Sequence, residues 1–216
     1  MQPRGRPQPA DAAADHYRVH DASSTSVEDS TPVECGLVDR LSVIGDAAIE
    51  VIAAEGMRGL THRAVDRFAG LPVGSTSYYA RTRAALLELT MARMVALDQV
   101  SPRPGGLAES IAGFAFEAIT SGRTRMLARY EFALEATRRP ELRAVYDEGG
   151  LLIRRLAVEA LTAAGSTAPQ RHATLVVNWM EGTIFDSLAG TGSLAPPTFE
   201  ALVDSARELL AGIGVG

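Results

Sequence analysis

Lysine is missing from the 216-residue chain, and all 21 basic residues are arginines. That bias belongs with a GC-rich coding sequence and says nothing about function. Cysteine is nearly missing too. The single Cys35 excludes an internal disulfide and any cysteine-based zinc cluster, and a reducing, cytoplasmic setting is the simple expectation. No apolar run approaches the roughly 18 residues of a membrane span. The opening MQPRGRPQPADAAAD has no apolar stretch behind its arginines, so no secretory signal is expected. Positive charge is in deficit, with a formal net charge of −5, which argues against wholesale coating of nucleic acid. The spacings H-E-x-x-H, G-x-S-x-G, G-x-x-x-x-G-K-[ST] and G-x-G-x-x-G do not occur. No catalytic constellation, cofactor or metal site is therefore expected.

What the chain does have is apolar material for a core, 46% of its residues, laid out with helical periodicity. Residues 1–36 are the exception. Pro3, Pro7, Pro9 and Pro32 punctuate them, no period appears, and a disordered tail is expected. His16 and His20 stand four apart, a metal-ligand spacing only on a helix, which nothing predicts there. From Leu37, an apolar stripe of Leu37, Leu41, Ile44, Ala48, Val51 and Ile52 predicts a helix that Gly56 stops. Thr61 then reads as the cap of a short helix with Ala64, Val65 and Phe68 inward, ended by Gly70. PVGSTSYY (72–79) is a second short segment, and Thr82 caps a helix from Arg83 to about Leu97. SPRPGG (101–106) reads as a linker. Further helices are expected over 107–120, 123–138, 141–163, 170–188 and 197–211. The fold class is all-α, with about nine helices in two parts.

The informative piece is 61–79: helix, tight turn at Gly70, helix, the plan of a helix-turn-helix. Ala64, Val65, Phe68, Leu71 and Val73 are the apolar residues that would set the crossing angle. Gly74, Ser75, Thr76 and Ser77 let a backbone approach a groove, and Tyr78 and Tyr79 reach phosphates or bases. Arg63 and Arg83 flank this face as phosphate ligands. Residues 57–93 hold Arg58, Arg63, Arg67, Arg81, Arg83 and Arg93 against Asp66 and Glu88, the one stretch with clear positive excess.

Over about residues 38–97 the chain resembles the TetR family of transcriptional regulators. The stretch GLTHRAVDRFAGLPVGSTSYYARTRAALLELT carries the likeness. Aligned on Gly70, Leu71 takes the family's usual Val position and Ser75–Thr76 its Thr-Leu. Tyr79 takes the second aromatic position, Arg83 the usual Lys and Leu86 the usual Leu. The chain departs from the pattern at Ser77, where the first aromatic usually stands, at Ala80 in place of Phe, and at Pro72 in place of a Ser or Thr cap. The resemblance implies that 37–98 is a DNA-binding domain and 99–216 a helical effector-binding and dimerisation domain. It implies DNA contacts by Thr61, Arg63, Gly74, Ser75, Thr76, Tyr78, Tyr79 and Arg83.

The second half offers scattered aromatics in apolar helices. Trp179, between Asn178 and Glu181, is the first candidate to line a pocket, followed by Tyr130 and Phe132. His172 stands alone and reads as a surface residue at a helix start. Two stripes, one through Val177 and Ile184 and one through Leu202 and Leu209, need burial. The resemblance implies a two-fold four-helix interface from the last two helices, suited to palindromic operator DNA. The expected function is a homodimeric, ligand-responsive, sequence-specific DNA-binding repressor released by an unknown small-molecule effector, and not an enzyme. The alternatives are a DNA-binding regulator without an effector and a helical ligand carrier.

Overall fold

The computed structural model describes residues 32–98 and 103–215, with side chains from Asp39 onward. Every regular element in it is helical: α1 (Pro32–Gly59), α2 (His62–Phe68), α3 (Ser75–Tyr79), α4 (Arg83–Leu97), α5 (Leu107–Ile119), α6 (Arg123–Ala136), α7 (Pro140–Ala163), α8 (Pro169–Ala189) and α9 (Phe199–Gly212), with a 3-10 turn at Thr191–Leu194. Helix α1 begins at Pro32, ahead of the tail boundary expected at 37. The remainder of that tail, His16 and His20 included, lies outside the described residues, as do 99–102.

Local chemistry accounts for several of the element ends. Gly56 adopts φ 70, ψ −179 and kinks α1 before its last turn. Thr61, Thr82 and Thr198 each accept a hydrogen bond from the backbone N–H three residues on, at 3.1, 3.1 and 3.3 Å. Pro140 and Pro169 stand in the first turns of α7 and α8, where no N–H is needed.

The helices enclose two buried clusters. The first gathers Ile44, Ile52, Leu60, Val65, Leu86 and Met94 from the N-terminal helices, and it also takes in Ala128, Phe132 and Ala136 of α6 and Leu142 of α7. Helix α1 lies along α6, so this core is not closed by the first hundred residues alone. The second cluster joins α5, α8 and α9 around Ala112, Ile184, Leu202 and Ala206.

Three expectations of burial need correction. The pattern places Phe68 and Val73 inward, but they are 44% and 82% exposed. Helix α2 ends at Phe68, the chain turns at Gly70 (φ 63), and Leu71 folds back onto the core instead. His172, expected at the surface, is buried, with Ser166 Oγ 2.8 Å from its Nδ1 and Arg171 3.2 Å from its Nε2.

Candidate functional site

The face built by α2, α3 and the start of α4 carries the residues expected to meet DNA. Thr61 is exposed and its hydroxyl is used as the α2 cap. Arg63 is exposed and forms no ion pair among the described residues, and the same holds for Arg58 and Arg81. Arg67 pairs with Glu55 at 2.9 Å and Arg93 with Asp46 at 2.7 Å, so those two charges are already matched. Gly74 holds φ 95 at the head of α3, a left-handed conformation that suits glycine. Ser75 is half-buried and its hydroxyl donates to the Pro72 carbonyl at 2.7 Å. Tyr78 is 74% exposed and meets the half-buried Tyr79 edge-on at 4.9 Å. Tyr79 packs on the first core, so of the two rings Tyr78 is the one displayed.

Two residues differ in role from the expectation. Thr76 is fully buried and cannot reach DNA. Its hydroxyl and N–H both donate to the Asp66 carboxylate, at 2.6 and 2.8 Å. Arg83 donates to the Met57 carbonyl at 2.7 Å and to the Leu60 carbonyl, and so satisfies the end of α1. Asp66 is a functional candidate that the motif did not single out. A signal was there: a short helix headed by glycine has no side-chain cap of its own, and Asp66 is the only acid between Gly56 and Leu87.

A cavity of about 320 Å³ lies deeper, between α4, α6, α7 and α8. Met91, Met94 and Val95 of α4, Tyr146 and Ile153 of α7 and Val177 of α8 form its apolar wall, while Asp98, Arg129 and Glu181 are among its polar groups. Arg129 is buried. It donates to Glu181, stands 3.9 Å from Asp98, and keeps one buried N–H, at Nε, without an acceptor. Arg125 holds Asp98 from the other side at 2.7 Å. Burial pushes the Asp98 carboxyl up, and the charges of Arg129 and Arg125 offset only part of that rise. Burial likewise raises the Tyr146 hydroxyl at the cavity wall, with Arg129 acting against it.

None of the three aromatics expected to line a pocket is among the residues that wall this cavity. Phe132 has no exposed surface and is part of the first core, where it stacks on Tyr146 with ring centres 6.4 Å apart. Trp179 is half-buried against the second core. Tyr130 comes nearest, its hydroxyl 3.5 Å from Glu181, but its ring packs on Phe185 instead. Burial, followed by the Glu181 charge, drives that hydroxyl well above the ordinary tyrosine value.

The interface candidates also move. Val177, Ile184 and Leu202 are 4%, 1% and 2% exposed in the single chain, so they are core and not a free surface. Helix α5 lies against both α8 and α9, and α7 lies against α8, so neighbours within the chain cover those stripes. Leu209 is half-buried on the same core. Helix α8 leaves another line exposed, through Leu175, Asn178, Gly182, Phe185 and Ala189.

A helix-turn-helix joined to a larger helical body is the build of a transcriptional regulator. Residues 102–214 match the model of the tetracyclin repressor-like C-terminal domain, and the chain belongs to the TetR family of transcriptional regulators. A transcriptional regulator from Rhodococcus sp. Rha1 superposes with a TM-score of 0.66 at 21% identity, over 82% of this chain and 98% of that one. At that identity the likeness concerns the fold. A TetR-family member from Streptomyces coelicolor A3 has a TM-score of 0.57 at 29% identity, over 79% and 98% of the two chains. The multidrug binding protein EbrR, in complex with ethidium, has a TM-score of 0.57 at 26% identity over the same shares. No curated protein matches the chain in sequence. As a member of this family the protein is a regulator and not an enzyme. No helix among the described residues is long and apolar enough to cross a membrane.

Proposed function

We propose that the protein is a homodimeric repressor that binds palindromic operator DNA through α2, α3 and the start of α4, and is released by a small molecule seated in the 320 Å³ cavity. The domain division at 98 goes with this reading, with effector binding and dimerisation assigned to 99–216. One observation carries it: the DNA-binding face and the cavity share α4. Its first turn is tied by Arg83 to the end of α1, beside the helix-turn-helix, while Met91, Met94 and Val95 further along wall the cavity. A ligand that displaces this wall shifts the helix that positions the DNA-binding face. Coupling of that kind is typically about 1–3 kcal/mol. EbrR, a multidrug binding protein solved in complex with ethidium, supports a small-molecule ligand for such a fold.

Dimerisation would use the exposed line of α8, since two recognition helices are needed to address both halves of a palindrome. The test is a titration of the DNA upstream of the protein's own gene, followed by fluorescence anisotropy over a salt series, with an unrelated duplex as control. Specific binding by a dimer is the expected result. Equal affinity for the two duplexes would overturn the operator-binding reading. A screen of small molecules by thermal shift, repeated with operator present, then separates a ligand-responsive protein from one whose second half only dimerises.

A further inference from the structure

Helix α3 is only five residues long, and a helix that short has no stability of its own. Its head is Gly74, which has no side chain to cap the free N–H groups. The missing acceptor comes from α2. Asp66 accepts from the Gly74 N–H at 2.7 Å, the Thr76 N–H at 2.8 Å and the Thr76 hydroxyl at 2.6 Å. Asp66 is 2% exposed. Its negative charge sits where the N-terminal end of a helix favours one. One turn earlier on α2, His62 Nε2 stands 2.6 Å from the carbonyl oxygen of Ala80, the residue that ends α3. Two side chains spaced i and i+4 on one face of α2 thus hold both ends of α3. The residues between, Ser77 and Tyr78, are left facing outward.

We propose that Asp66 and His62 are positioning residues for DNA recognition: a clamp on α2 that fixes the angle and register of α3 before DNA arrives. The proposal rests on the operator-binding reading and extends it. Neither side chain touches DNA. They act by removing the freedom of α3 to fray or rotate, so that Tyr78 and its neighbours meet base edges without an ordering step. Losing the clamp therefore reduces binding to a chosen sequence more than binding to DNA in general, which depends on phosphate contacts by exposed arginines.

The experiment uses the full chain and a duplex selected by the wild-type protein from a random-sequence pool, with an unrelated duplex beside it. Asp66→Asn keeps the shape but exchanges one acceptor oxygen for an NH2 group. Thr76→Val removes the hydroxyl bond and leaves both backbone bonds. His62→Ala removes the C-terminal contact, and His62→Gln can still donate to the Ala80 carbonyl. In Asp66→Asn, hydrogen exchange at the Gly74 and Thr76 amides should quicken by ~tenfold or more. Affinity for the selected duplex should fall by a similar factor, with the unrelated duplex bound to within ~threefold. Thr76→Val should lie between Asp66→Asn and wild type, and it keeps the test open if Asp66→Asn does not fold. His62→Gln should recover most of the specificity lost in His62→Ala.

The idea is overturned if exchange quickens without loss of specificity, if exchange is unchanged, or if both duplexes weaken in step with the melting temperature. That last result would make the pair structural only. If the wild-type protein selects no duplex at all, the operator-binding reading fails instead, and the exchange data still decide whether the clamp exists.

Discussion

Arg63 and Arg83 flank the same basic face, but the chain uses them differently. Arg63 is exposed and without an ion pair among the described residues. Arg63→Ala should therefore leave the melting temperature unchanged and lower the slope of log K against log[salt] by about one per subunit. Arg83 gives its guanidinium to the Met57 and Leu60 carbonyls. Arg83→Ala should instead destabilise the fold by about 1 kcal/mol, read from urea unfolding, because those carbonyls lose a donor. Asp66 adds a pH dependence. Burial raises its carboxyl, but the hydrogen bonds from Thr76 and Gly74, helped by His62, outweigh burial and hold it below the ordinary aspartate value. A lowered folded value means that ionised Asp66 stabilises the protein above the unfolded carboxylate range, ~4. That contribution is lost as pH falls through the folded value. Urea midpoints should drop more steeply below about pH 4 in the wild type than in Asp66→Asn.

Helices α4 and α7 meet at the cavity, and two adjacent glycines of α7 show how closely. A Cβ on Gly149 would stand 2.9 Å from Val95 Cγ2 on α4, whereas one on Gly150 meets nothing within 4 Å. Both glycines lie in the interior of α7, where alanine is favoured by about 0.8–1 kcal/mol. Gly150→Ala should gain most of that in urea unfolding. Gly149→Ala gains the same propensity but presses on the Val95 side chain of α4, which must give way. It should come out neutral or destabilised. If α4 carries the ligand signal, operator affinity should change in Gly149→Ala and not in Gly150→Ala. The close approach at Gly149 is thus the element-level counterpart of a bound ligand, acting from the same wall.

For the whole molecule the question is which surface meets a second copy. Leu202 and Phe185 separate the possibilities. Leu202 is 2% exposed within one chain, while Phe185 on α8 is 48% exposed beside Leu175. Leu202→Arg should unfold the protomer, because an unpaired buried charge costs several kcal/mol. Phe185→Arg should leave far-UV circular dichroism unchanged and convert a dimer to a folded monomer in sedimentation. A monomer keeps one helix-turn-helix and loses the second half-site, so its operator affinity falls with its assembly. If Phe185→Arg stays dimeric, the interface lies elsewhere than on α8.

Periodicity and punctuation were enough to read the all-α class, the helix order and the capping Thr61 and Thr82, because those depend on contacts within a few residues. Thr61 with Ala64 and Thr82 with Ala85 are three apart, and Gly70 turns the chain on its own backbone freedom. The likeness carried by residues 59–90 was local in the same way. Contacts between distant segments were not legible. A polar pair ten residues apart, Asp66 and Thr76, reads as two surface residues until α2 and α3 are packed. An apolar stripe such as Val177 and Ile184 has one pattern whether it faces a core or a partner, and only the positions of α5 and α7 show that it faces inward. The cavity is likewise a property of four helices together. Three of its polar residues, Asp98, Arg129 and Glu181, come from α4's end, α6 and α8, and no spacing along the chain links them. What a helix is follows from its neighbours in sequence, and what its faces do follows from its neighbours in space.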